Sequence, residues 1–139
     1  MIICDTSGLV AAYSANDSRS RQVTELLRSE PGQLIVSPFV LAELDYLIQT
    51  RAGVRDELKV LADMANGVYR LADVDSSDIA QAAAVIQRYR RMNIGLTDAS
   101  LVVLAAKYGT TRLLTFDERH FRAIRPLTSS AFTILPADH

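Results

Sequence analysis

The chain has 139 residues, 49% of them hydrophobic, which suits one domain with a full core. Its formal net charge is −1, so no global field draws it to nucleic acid or membrane, and local charge must carry any such contact. No window reaches the roughly 18 apolar residues of a membrane span. The start, Met1-Ile2-Ile3-Cys4-Asp5, lacks the basic and long apolar regions of a signal peptide. The lone Cys4 has no internal disulfide partner and reads as a buried thiol, so a cytoplasmic setting is expected.

In chain order, residues 2–4 read as a short buried strand and 8–14 as a helix. Residues 17–28 read as a second helix with Asp17 as its N-cap and Val23, Leu26 and Leu27 inward. Glu30-Pro31-Gly32 ends it, and residues 34–36 form the second strand. Ser37-Pro38 is a strong helix start, a serine cap followed by proline at the first helical position. That helix runs to about Arg51. Another spans 54–65, with Gly67 as the stop. A weaker strand covers 68–74. A long helix covers 75–91, its early acids Asp75 and Asp78 and its late Arg88, Arg90 and Arg91 both matching the macrodipole. Residues 97–108 form a helix capped by Thr97 and closed by Gly109, 112–116 a strand, 118–121 a turn of helix, and 132–135 a last strand. Strand-like runs alternating with helical patterns predict a single α/β domain over residues 1–139. Its central sheet is mainly parallel, of about five strands, and flanked by helices.

Four acids stand where an acid is out of place. Asp5 ends the first strand, and in parallel sheets ligands bind outside the carboxyl ends of strands. Glu43 has Phe39, Val40, Leu44 and Leu47 as its same-face helical neighbours, so it is expected to aim at the core. A carboxylate buried there is costly unless a metal or an arginine answers it. Asp98 shares its helix side with Leu101, Val102 and Ala105. Asp117 follows Leu113-Leu114-Thr115-Phe116, repeating the arrangement at Asp5. Taken singly, Asp5 reads as an ordinary helix cap, Asp98 as a first-turn acid suited to the helix dipole, and Asp117 as an ordinary turn aspartate. Gathered, the four make a pocket of about four negative charges that needs a hard cation such as Mg²⁺, with Mn²⁺ possible. That pattern points to metal-assisted phosphodiester hydrolysis.

Other chemistries find little support. There is no glycine-rich phosphate loop. His120 and His139 lack the cysteine company of a zinc site. No G-x-S-x-G elbow marks a serine hydrolase. A phosphate-receiver module, which also gathers acids around Mg²⁺, needs a lysine at the end of a late strand; Lys59 and Lys107 both fall in helical segments.

The order of the acids resembles the PIN domain, a metal-dependent nuclease fold. The motifs are Ile3-Cys4-Asp5-Thr6-Ser7, Val40-Leu41-Ala42-Glu43-Leu44, Leu96-Thr97-Asp98-Ala99 and Leu114-Thr115-Phe116-Asp117-Glu118-Arg119-His120-Phe121. The compact length and the run from Thr115 to Phe121 look most like VapC toxins of bacterial toxin–antitoxin pairs. The resemblance implies that Asp5, Glu43, Asp98 and Asp117 are the catalytic and metal-binding quartet of an endoribonuclease, with Thr6, Ser7 and Thr115 supporting it or orienting substrate. It implies RNA as substrate, a cognate VapB-like antitoxin covering the site, and a homodimer. An inactive PIN-like interaction module is the alternative within the same fold. Arg119 and Arg122, just past Asp117, are the expected phosphate contacts. Leu9, Tyr13, Tyr46 and Leu58 are the expected apolar groove for the antitoxin.

Overall fold

A computed structural model describes residues 1–139. Five short strands form one parallel sheet: β1 (Ile2–Cys4), β2 (Leu34–Val36), β3 (Arg70–Leu71), β4 (Arg112–Leu114) and β5 (Thr133–Leu135). Their spatial order is β3-β2-β1-β4-β5. Every pairing is parallel, with Ile3 beside both Ile35 and Leu113. β1 and β2 are buried throughout, as the apolar runs demand of strands covered on both faces. The chain winds outward from β1 to β3, then returns to the other side of β1 for β4 and β5. The direction of winding therefore reverses between β1 and β4. In such sheets that reversal opens a crevice at the carboxyl ends of the two strands.

Seven α-helices surround the sheet: α1 (Thr6–Tyr13), α2 (Ser20–Ser29), α3 (Pro38–Ala52), α4 (Val54–Ala65), α5 (Ser76–Arg88), α6 (Leu96–Tyr108) and α7 (Glu118–Ala123). α1 packs on α2 and α3, α3 on α4 and α6, and α5 on α6. α6 is the interior helix: residues 99–105 are all buried, as befits a helix apolar on every side.

Several boundaries differ from expectation, each for a local reason. α1 starts at Thr6 because Asp5 itself caps it, its side chain accepting from the Thr6 amide. Asp17 caps no helix; it accepts from the Arg19 amide and guanidinium, and α2 begins at Ser20. β3 shrinks to two exposed residues at the sheet edge, with only β2 to pair with. The helix expected over 75–91 ends at Arg88 and continues as a 3₁₀ turn, Arg90–Met92, closed by Asn93 in the left-handed region. Its start behaves as read, with Asp75 and Asp78 forming a reciprocal capping box. Thr97 lies inside α6, whose cap is Gly95.

Leu9, expected in an exposed groove, is fully buried and belongs to the core. Tyr13 is half-buried, its hydroxyl 3.1 Å from that of Tyr69. Tyr46 and Leu58 are exposed. No helix is long and apolar enough to cross a membrane.

Candidate active site

Asp5 stands at the carboxyl end of β1, buried, with its amide donating to the Leu114 carbonyl of β4 at 2.9 Å. Its carboxylate is held from three directions. Oδ1 accepts from the Thr6 amide at 2.8 Å; Oδ2 accepts from Thr115 Oγ1 at 2.7 Å and from Ser7 Oγ at 3.2 Å. Burial pushes the Asp5 carboxyl up, while those three hydrogen bonds pull it down and Glu43 pushes it further up. Thr115 joins two acids, for its Oγ1 also accepts from the Asp117 amide at 3.0 Å. Ser7 closes the loop by accepting from the Phe116 amide at 2.9 Å. Thr6 differs from both: its hydroxyl is buried without a hydrogen-bond partner.

Glu43 and Asp98 arrive from helices. Both helix starts are tied together: Ser37, the α3 N-cap, has its hydroxyl 3.0 Å from that of Ser100 on α6. Asp98 lies in the first turn of α6, where the helix dipole favours an acid. Its side chain is 24% exposed. Burial, then the charges of Asp5 and Asp117, drive its carboxyl up to about 6, with His120 opposing and Glu43 adding. Glu43 does not enter the core as its helical neighbours suggested. The residue is exposed, and it opens onto a cleft whose walls include Asp5, Asp98 and Asp117. The apolar stripe of α3 is real, with Val40, Leu44 and Ile48 buried, and Glu43 lies at its border where the crevice begins.

Asp117 caps α7 through the His120 amide at 3.1 Å. His120 turns back so that its Nδ1 lies 2.8 Å from Asp117 Oδ2 and 3.8 Å from Asp98 Oδ2. Asp98, Asp117 and His120 thus present ligand atoms within 4.8 Å of one another. Sequence reasoning placed His120 among the basic residues after Asp117 and missed this role. The signal was present: a polar side chain three residues after an N-cap acid is positioned to reach back to it.

The expected phosphate contacts lie elsewhere. Arg122 is engaged by Glu118 at 2.8 Å and by Asp138 at 2.7 Å, and neither it nor the exposed Arg119 lines the cleft. Lys59 and Lys107 sit on α4 and α6, and Lys107 is spent on Asp78 at 2.7 Å, so the lysine a receiver module needs is absent.

The donor set suits a divalent cation. Four carboxylates share one cleft of about 370 Å³. Burial first, and then the neighbouring charges of Asp5 and Asp117, raise the Asp98 carboxyl, and a cation held among these acids would oppose both effects. The orphaned Thr6 hydroxyl adds a further oxygen beside Asp5. Oxygen donors of this kind select hard ions, and one imidazole extends the range toward transition metals.

A parallel sheet whose central crevice collects acids from four separate segments defines a nuclease of the PIN class. The family model for the PIN domain matches residues 2–126, and the chain belongs to that family. It is 44% identical over 135 residues to Ribonuclease VapC26 of Mycobacterium tuberculosis, covering 97% of this chain and all of that one. It is 28% identical over 117 residues to the 23S rRNA-specific endonuclease VapC20 of the same species, covering 84% and 89%. The crystal structure of VapC20, described as a sarcin-ricin loop cleaving toxin, superposes with a TM-score of 0.78 at 27% identity over 84% of this chain and 90% of that one. VapBC2 from Rickettsia felis, bound to promoter DNA, shares the fold, with a TM-score of 0.71 at 20% identity over 96% and 98% of the chains.

Proposed function

We propose that the chain is a metal-dependent endoribonuclease, the toxin of a type II toxin–antitoxin pair. The observation that carries this is the convergence of Asp5, Glu43, Asp98 and Asp117 on one cleft at the switch point of the sheet. In this reading the four acids are the metal ligands, and Mg²⁺ is the first ion to test, Mn²⁺ the second. Bound there, the ion supplies a water of lowered pKa and neutralises charge gathering on the scissile phosphate. The residues do the rest. Thr115, Ser7 and the Thr6 amide fix Asp5, so the site is ordered before substrate arrives. Asp117 is held by His120 at both oxygens. Asp98 has only the longer 3.8 Å approach of that ring, which leaves it the freer of the two to take the proton of the attacking water.

Ribosomal RNA is the first substrate to test, given the 23S rRNA activity in VapC20's name. A VapB-like antitoxin is the expected partner, since VapBC assemblies are among the structural neighbours. A homodimer and a cytoplasmic site of action complete the reading.

The purified protein is expected to cut ribosomal RNA with Mg²⁺ and to stop when EDTA is added. Asp5→Asn is expected to keep the far-ultraviolet circular dichroism of the wild type and to lose at least about 100-fold in rate. Undiminished metal-dependent cleavage by Asp5→Asn would defeat the proposal. Cleavage that persists in EDTA would do the same.

A further inference from the structure

An acidic cleft repels a polyanion, so whatever grips RNA must be cationic and close by. The cleft walls contain two cations, Arg19 and Arg51. Arg19 precedes α2, and its guanidinium is held in place from two sides. Asp17 takes Nε at 3.0 Å and Nη2 at 2.9 Å, and the guanidinium carbon stands 3.9 Å from the centre of the Phe116 ring. Phe116 lies between Thr115 and Asp117, so Arg19 is fastened to the loop that carries two site residues. Its Nη1 takes no part in these bonds, and the side chain is 46% exposed. Arg51 lies on α3 two helical steps of four beyond Glu43, with Leu47, also in the cleft wall, between them. Eight residues advance a helix by about 12 Å, so Arg51 meets a phosphate next to the scissile one rather than the scissile one itself.

We propose that Arg19 and Arg51 form the RNA grip of this site, binding phosphates of a single-stranded stretch on either side of the cut. Arginine suits the task because its planar fork pairs with phosphate oxygens. The inference rests on the nuclease reading and adds the path of the substrate: the strand crosses the cleft from the α2 start to the last turn of α3. Arg122, which does not line the cleft, is not part of the grip.

The test uses the full-length protein and a fluorescein-labelled 16-nucleotide single-stranded RNA in Ca²⁺, with anisotropy followed across a salt series. Removing one arginine–phosphate pair is expected to flatten the log–log salt slope by about 0.7, so Arg19→Ala with Arg51→Ala flattens it by about 1.4. With ribosomal RNA and Mg²⁺ the double variant is expected to raise KM by about tenfold and leave kcat within about threefold. Arg122→Ala is expected to change neither. Arg51→Ala alone, at an exposed helix end, carries the test should the double variant fail to fold. If Arg51 serves only the helix C-terminus, its slope will match the wild type. An unchanged slope in the double or the single variant overturns the grip and leaves the nuclease reading standing. A wild-type protein that neither binds nor cuts RNA overturns both.

Discussion

Asp98 shows what gathering acids in one cleft costs the fold. Its carboxyl rises from the ordinary 3.8 to about 6 in the folded chain. The folded state therefore holds the proton more tightly than the unfolded one. This group's contribution to stability is full below about pH 3.8 and is lost as pH rises through about 6. At neutral pH it opposes folding of the metal-free protein. Asp98→Asn in EDTA is expected to raise stability at pH 7.5 by about 1–2 kcal/mol, after allowing for the dipole interaction it gives up. The gain should vanish toward pH 4, and added Mg²⁺ should stabilise the wild type more than the variant. Melting curves at both pH values decide it; a variant less stable than the wild type at pH 7.5 contradicts this account. Sequence patterning singled out this acid and the three others that line its cleft, because each opens, interrupts or ends an apolar run. It misjudged Glu43, whose helical neighbours are apolar but which lies at the border of their stripe. Position along a helix gives a face, and only packing against α1 and α6 shows where that face gives way to a cleft.

At the level of elements, α1 and β4 approach unusually closely. A Cβ on Gly8 would enter the Leu114 side chain and stand 3.0 Å from the Leu114 carbonyl oxygen. Backbone cannot yield as a flexible side chain can, so Gly8→Ala is expected to cost about 1–3 kcal/mol. Because α1 also carries Ser7 and is capped by Asp5, cleavage at a permissive temperature should fall further than the loss of folded protein explains. Activity measured per folded molecule, with the folded fraction taken from circular dichroism, checks this; a variant as stable as the wild type refutes it. Element starts were legible wherever side-chain chemistry marks them, as at Ser37-Pro38 and at Asp75 with Asp78. They were not legible at Asp17, where a neighbouring arginine claimed the carboxylate. Nor was the shortness of β3, which is set by its place at the sheet edge rather than by its own residues.

Across the whole molecule, one ion network ties the opposite end of the sheet together. Glu30, just past α2, accepts from the amino group of Met1 at 2.9 Å, from the Gly32 amide at 2.8 Å and from Arg112 on β4. Burial acts to raise its carboxyl, but these donors outweigh burial and hold it at about 2. The sign is opposite to that at Asp98. Stability from Glu30 is present above its unfolded value of about 4.5 and is lost as pH falls toward about 2. Glu30→Gln is expected to destabilise the protein at pH 7 and to narrow the gap from wild type near pH 2–3, as acid titrations of both would show. An equal loss at every pH would argue that the side chain serves packing alone. The parallel topology was legible from alternating strand and helix patterns. The strand order was not, because it depends on which side of β1 the returning chain chooses. That choice is what brings Asp117 beside Asp5.

The order in which these pieces are made also matters. Asp5 is synthesised first, yet Thr115 and the Leu114 carbonyl that fix it lie more than a hundred residues later. A chain that stops before residue 114 therefore lacks the partners that hold Asp5 and one of the four acids of the cleft. The cleft can reach its final geometry only when translation is nearly finished.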